Sequence, residues 1–259
     1  MGQKDNRRIS MVQFHQNYAY EDFVIGYKPS VNGFELRKGI FYEFCQKASA
    51  NPEHKYFFII DEINRGNLSK ILGELMMLIE ADHRVESVTL PGLEEPFHVP
   101  KNVFIIGMMN TADRSLAMID YALRRRFSFF TMTPCFKENE EDDIEGFKTY
   151  ATSVRNALGV ATGQKSRFDE LVDVMRALNT AIADDPSLGK GFLIGHSYLG
   201  GIQQPKQEDS SEASLSQFNE WLYGVVNYDL LPLLEEYWYD DEETLKDWSN
   251  RLQSLTLDH

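Results

Sequence analysis

Along the first half of the chain, short unbroken apolar runs alternate with stretches in which apolar residues recur every three or four positions. This alternation predicts strands of a parallel sheet joined by helices, since such strands are covered on both faces and need a crossover of helical length between them. Ile9 to Phe14 (ISMVQF) is expected as a strand, and Gly39 to Ala50 as a helix with Ile40, Phe41, Phe44 and Ala48 on its inner face. Tyr56 to Ile60 does not alternate and is expected as a strand buried on both faces. Asn67 is placed to cap a helix whose inward stripe is Leu68, Ile71, Leu72, Leu75, Met76 and Ile79. Val88 to Val99, with Pro91-Gly92 at its centre, predicts a hairpin. Val103 to Met108 is a third buried strand, Leu116 to Arg124 a short helix, and Phe127 to Met132 a fourth strand.

The pattern changes after Pro134. Glu138 to Glu145 (ENEEDDIE) reads as an acidic connector, and Phe168, Leu171, Val172, Met175, Leu178 and Ile182 then recur at helical spacing. Gln203 to Gln217 is polar and is expected as a loop. Trp221 to Tyr239 is aromatic-rich and helical in pattern, with Pro232 expected to bend or interrupt it. The expected organisation is an α/β core over residues 1–134 and a mostly helical domain over 135–259, with no internal repeat.

Composition narrows the functional classes. A net charge of −14 argues against this chain gripping a phosphate backbone by itself, which takes clustered Lys and Arg. The two cysteines, Cys45 and Cys135, have neither CxxC nor His-rich spacing, so no disulfide framework or zinc site is expected. The chain opens on no signal-peptide pattern and has no apolar run near the ~18 residues of a membrane span. A reducing, cytoplasmic setting and no membrane partner are expected.

Three segments carry candidate chemistry. In "KYFFIIDEINRGNLSK", residues 55–70, an apolar strand ends abruptly in Asp61 and Glu62. Ligands of open parallel sheets bind beyond the carboxyl ends of the strands, and there an acidic pair can hold Mg²⁺ through one carboxylate and orient an attacking water through the other. Taken alone, the same residues also suit a strand that merely ends in polar groups before a helix. In "FIIGMMNTADRS", residues 104–115, a second buried strand delivers Asn110, suited to positioning water or a γ-phosphate, although Asn-Thr-Ala-Asp is equally good turn chemistry. In "DYALRRRFSFF", residues 120–130, three consecutive arginines stand out in so acidic a chain. Arginine suits bridging a neighbour's phosphates, and solvated surface charge is the alternative for each of the three.

Four stretches, "MVQFHQNYAYEDFVIGYKP", "FFIIDEINRGNLSKILGELMMLIE", "MNTADRSLAMIDYALRRRFSF" and "LGKGFLIGHSY", occur in an order that resembles the AAA+ region of the McrB family, from about Arg8 to the Trp248 region. "DEINR" by itself would also suit MoxR-type ATPases. The resemblance implies an AAA+ P-loop NTPase-type α/β sheet followed by a helical lid. It makes Asp61 the Walker B metal-side acid and Glu62 the water-activating glutamate, with Asn64 and Arg65 as nucleotide-binding or interface contacts. Asn110 matches the sensor 1 position, completed by Asp113 and Arg114, while Arg125 and Arg126 match arginines that act on a neighbouring subunit's site. "GKGFLIGHSY" falls in the lid, where a second sensor is placed. The implied substrates are Mg²⁺ with GTP or ATP, and the residues do not choose between the bases. The implied partners are like subunits in a hexameric ring, a McrC-like endonuclease, and DNA only through domains outside this sequence.

One departure is large. No GxxxxGK[ST] occurs, so the backbone cradle for the phosphates and its lysine are not in this sequence. In the family's strand order the strand carrying that cradle would lie between the one ending at Asn110 and the one starting near Phe127. A fragment of a longer protein is the favoured explanation, and a degenerate subunit the other. Two functions besides the motor follow as alternatives: a nucleotide-incompetent assembly module, and a MoxR-like chaperone.

Overall fold

The computed structural model describes residues 8–31, 33–110, 112, 124–134, 136, 145–158, 166–200 and 211–256. The chain divides into two compact units, Met1–Phe130 and Thr131–His259. The expected helix Leu116 to Arg124 (save Arg124 itself), the acidic connector 138–144, and the site candidates Asp113 and Arg114 lie outside the described residues.

The first unit is mixed α/β. Strands β1 (Ile9–Gln13), β4 (Tyr56–Asp61) and β7 (Val103–Gly107) form a parallel sheet in the order β1-β4-β7. Ile9 pairs with Phe57 and Ile60 with Gly107, so all three strands deliver their carboxyl ends to one edge of the sheet. Between β1 and β4 lie α1 (Tyr20–Phe23), a hairpin of β2 (Ile25–Ser30) and β3 (Gly33–Lys38), and α2 (Ile40–Ser49). That hairpin was not anticipated; Ser30 of β2 pairs with Gly33 of β3, and Gly33 takes φ +118°. The hairpin expected at 88–99 forms from β5 (Val88–Thr89) and β6 (Pro96–Phe97).

One face of the sheet is sealed by aromatic packing. Phe58 meets Phe41 at 5.0 Å and Phe44 at 5.2 Å, both edge-to-face, and Phe23 stacks on Phe41 at 4.9 Å. Such pairs contribute about 0.5–1.5 kcal/mol each beyond their burial. Polar clamps fix the frame. Asn102 Nδ2 lies within 3.1 Å of the carbonyl oxygens of Ala48, Asn51 and His54, which ties the start of β7 to the end of α2. Arg84 donates to the carbonyls of Ile79, Pro100 and Val103.

Four expectations are corrected. The strands are not buried on both faces: burial alternates along β4, and Ile9, Met11, Phe104 and Ile106 are about half exposed, because the described residues cover one face only. The helix expected from Asn67 to Ile79 is two, α3 (Leu68–Leu72) and α4 (Leu75–Leu78), broken at Gly73, whose φ of +49° ends α3. Ile40, expected to face inward, is exposed in the first turn of α2, where Phe41, Tyr42, Phe44, Cys45 and Ala48 take the core. Phe127 to Met132 is not a strand. It pairs with no strand among the described residues, and Phe130 and Met132 are exposed.

The second unit is helical: α5 (Glu145–Ala157), α6 (Arg167–Asp184), α7 (Ser211–Gly224), α8 (Leu231–Tyr237) and α9 (Glu242–Ser254). Ser166 and Asp169 close a reciprocal capping box at the start of α6, whose predicted inner face is buried throughout. The loop expected to end at Gln217 is already helix from Ser211, since Phe218 and Leu222 bury one face of α7. The irregularity expected at Pro232 comes earlier, as a π-helical turn over Val225–Leu230; Pro232 itself is the second residue of α8, directly after that turn.

Candidate functional site

The candidate site is built where β4 ends. Asp61 closes the strand opposite Gln13 of β1, and its carbonyl accepts from the Phe14 N–H at 2.9 Å. On the other side the ladder outlasts β7: Met108 N–H donates to Ile60 O at 2.8 Å, and Ile63 N–H to Met108 O at 3.0 Å. The turn carrying Asp61 and Glu62 is thus held against the segment that delivers Asn110. Gly107 permits this closeness, because a Cβ there would come within 2.7 Å of Ile63 Cδ1.

Glu62 is the one non-glycine residue with positive φ among those described, at φ 50°, ψ 44°. The left-handed region costs an L-residue roughly 1–2 kcal/mol. Strain of this kind persists where surrounding structure over-determines it, and it concentrates at functional sites. The surroundings are visible here: Glu62 N–H donates to Asp61 Oδ1 at 3.0 Å, and its carbonyl accepts from Arg65 N–H at 2.9 Å to start a 3-10 turn, Ile63–Arg65, with Ile63 in the core.

Two buried polar atoms at this turn lack hydrogen bonds among the described residues: Glu62 Oε2 and Asn64 Oδ1. Arg65 Nε lies 3.1 Å from Glu62 Oε2 as an ion pair, but that oxygen still receives no aligned hydrogen bond. Asn64 spends its amide nitrogen on the Asn110 carbonyl at 3.4 Å, and the Asn110 side chain accepts from Ala112 N–H at 3.0 Å. A buried polar atom left without any partner costs about 1–3 kcal/mol, which makes Asn64 Oδ1 a candidate acceptor for a polar ligand. The donor set suits Mg²⁺ with a phosphate: Mg²⁺ uses one or two carboxylates and keeps waters and phosphate oxygens as its other ligands. No group of three His, Cys, Asp or Glu that could cage a metal occurs among the described residues.

The arginine run is divided. Arg124 and Arg125 are exposed. Arg126 lies against its own chain, with Nε donating to Met76 O at 2.7 Å and a terminal nitrogen 2.6 Å from Glu80 Oε1. Glu80 escaped the sequence reading. Its signal was a carboxylate at the end of an apolar helical stripe, where the helix dipole favours a cation instead.

Two family models match the chain: the AAA domain of the dynein-related subfamily over residues 3–127, and the alpha-helical lid domain of McrB over residues 170–246. The EcoKMcrB subunit of the type IV methyl-directed restriction enzyme of Escherichia coli (strain K12) is 47% identical over 258 residues, 97% of this chain and 51% of that protein. The chain is a McrB-like AAA+ protein. The YdiS component of the type II restriction enzyme BsuMI of Bacillus subtilis (strain 168) is 29% identical over 190 residues, covering 67% of the McrB-like chain and 52% of that protein. The McrB-like chain therefore spans about half the length of these curated relatives.

In the lid region of the McrB-like chain, the "GKGFLIGHSY" stretch is clamped by side chains. Buried Asn179 donates to Ile194 O at 2.9 Å and accepts from Ile194 N–H at 2.7 Å. Tyr237 donates to Phe192 O at 3.0 Å, and Trp221 to Gly200 O at 3.3 Å. Gly189 opens the stretch at φ +76°, and Lys190 stands exposed at its start.

Proposed function

We propose that Asp61, Glu62, Asn64 and Asn110 form the metal and water side of a nucleoside-triphosphate hydrolysis site in the motor subunit of a modification-dependent restriction system. The observation that carries this reading is the turn after β4, where Asn64 Oδ1 and Glu62 Oε2 are buried with no hydrogen bond among the described residues, the latter ion-paired to Arg65, beside the segment that carries Asn110. Mg²⁺ bound beside Asp61 would supply charge neutralisation to the phosphates. Glu62 accepts a proton from the attacking water. Asn64 and Asn110 orient polar groups on either side of it, with Asp113 and Arg114 following in the same segment. Arg65, 3.1 Å from Glu62 Oε2, holds that carboxylate in place. Arg125 and Arg126 belong to the surface a neighbouring subunit's site would meet. The substrate is GTP or ATP. The assembly is a ring of like subunits, taken as a hexamer, acting with a McrC-like endonuclease and reaching DNA through other domains.

The two carboxylates fail differently if they divide two tasks. In a chain completed with a phosphate-binding loop, Asp61→Asn weakens magnesium-nucleotide binding and turnover together. Glu62→Gln keeps nucleotide bound while hydrolysis falls by roughly 10²–10⁴, the worth of a positioned base. Nucleotide affinity and turnover measured on both variants decide the matter. Normal hydrolysis by Glu62→Gln removes the assignment. One observation favours a second reading, a nucleotide-incompetent assembly module: the sequence contains no GxxxxGK[ST]. That reading has no chemical need of both carboxylates. A strand end whose carboxylates are merely structural predicts equal, modest effects of both substitutions on stability alone.

A further inference from the structure

The three arginines 124–126 look interchangeable in sequence, yet the structure treats the last one differently. Arg126 is only one-fifth exposed and is bonded to Met76 O and Glu80, both in the stretch that leaves the Asp61–Glu62 turn by way of α3 and α4. Arg125 is exposed and has no hydrogen-bond or ion-pair partner among the described residues. We propose that Arg126 is a positioning residue that latches the arginine segment to Glu80 of its own subunit, and that Arg125 is the arginine presented to a neighbour's phosphates. The proposal rests on the nucleotide-hydrolysis reading above and divides the labour within it.

The chemistry supports the division. A guanidinium bonded at two points, to a carboxylate and to a backbone carbonyl, is oriented as well as neutralised. Reaching another subunit's phosphates would mean giving up both contacts. Kept in place, the latch links the acidic turn of one site to the arginine that serves the next. Loss of a positioning contact costs on the order of 10² in rate through misplacement, against ~10³–10⁵ for loss of an arginine that meets the phosphates.

A charge exchange separates the roles. In a ring-forming chain completed with a phosphate-binding loop, Arg126→Glu and Glu80→Arg are each expected to lower turnover about 10²-fold, and the double exchange to recover most of it. Arg125→Lys and Arg125→Ala stay inactive whatever stands at position 80. A double exchange no better than either single change overturns the proposal, since an arginine that contacts phosphate directly cannot be replaced by glutamate. On the 259-residue chain itself, trypsin reads the latch without any activity: Glu80→Gln should raise the rate of cleavage at Arg124 and Arg125, with the melting temperature of the chain unchanged. Unchanged cleavage overturns the latch as well. Glu62→Gln run in parallel keeps the two readings apart. If it hydrolyses normally, the site assignment and the role given to Arg125 fall together, while the trypsin result still reports whether Arg126 holds its segment.

Discussion

At the scale of single residues, Glu62 carries the sharpest conflict between stability and chemistry. Its left-handed backbone is costly for any L-residue and free for glycine. At ordinary positions glycine is roughly 0.5–1 kcal/mol less stable than alanine. At position 62 the order should reverse or vanish, so Glu62→Gly should be at least as stable as Glu62→Ala by urea unfolding. A clear deficit for the glycine variant would show that the backbone is not strained there. A second residue-scale expectation concerns Asp185 in the helical unit. Hydrogen bonds from the Ser187 side chain and the Trp238 indole, then from backbone N–H groups of Ser187 and Leu188, hold its pKa down to about 2, below the ordinary 3.8. A depressed folded-state pKa gives stability that is present above about pH 4 and is lost as pH falls toward 2. Asp185→Asn should therefore flatten the acid limb of a stability profile followed by tryptophan fluorescence, and leave the profile above pH 5 parallel to that of the unchanged chain.

At the scale of elements, the break between α3 and α4 shows what a helical pattern leaves open. The inward stripe from Leu68 to Ile79 is real, and Leu68, Ile71, Leu72, Leu75, Leu78 and Ile79 all reach the core. The stripe fixes which face is buried, but it does not require one unbroken helix. Gly73, at φ +49° and ψ −125°, lies where only glycine is at ease, and a Cβ there would come within 3.0 Å of the Tyr20 ring. Gly73→Ala should cost on the order of 1–3 kcal/mol, measured by thermal or urea unfolding. An unchanged melting temperature would mean that the two helices can join without penalty. The π-helical turn at Val225–Leu230 makes the same point in the other unit. Proline is visible in a sequence, whereas an extra residue accommodated within a helix is set by the packing of Val226 and Leu230 in the core.

At the scale of the whole molecule, the parallel sheet of the first unit presents Ile9, Met11, Phe104 and Ile106, all about half exposed, on its second face. Phe57 and Ile59 of β4 pair with Ile9 and Met11 on one side and with Phe104 and Ile106 on the other, so the six side chains make one apolar field. All-parallel sheets occur almost only with both faces covered, and contiguous exposed apolar patches mark interaction sites or aggregation liabilities. The 259-residue chain alone should therefore bind an apolar dye such as ANS. The double variant Met11→Lys with Ile106→Lys should bind less of it without loss of melting temperature. The same chain should turn over neither GTP nor ATP, because positioning and electrostatics supply nearly all phosphoryl-transfer catalysis and the sequence contains no phosphate cradle. Turnover abolished by Glu62→Gln in this chain would refute that expectation.

Local spacing in the sequence was enough to set the strands Ile9–Gln13, Tyr56–Asp61 and Val103–Gly107, the cap at Asn67 and the buried face of α6, since periodicity and capping are properties of neighbours along the chain. The acidic turn was legible too, because an apolar run ends abruptly there in two carboxylates. The sequence could not show that Phe127 to Met132 would pair with no strand among the described residues, since a strand exists only where a partner edge meets it. Nor could it show that Glu62 would take a left-handed backbone with one oxygen unsatisfied, or that Arg126 would turn back onto Glu80 while Arg125 faces outward. Those outcomes depend on groups 46 and 50 positions apart, as in Asn64 with Asn110 and Arg126 with Met76, and only the folded sheet and its helices bring such groups together.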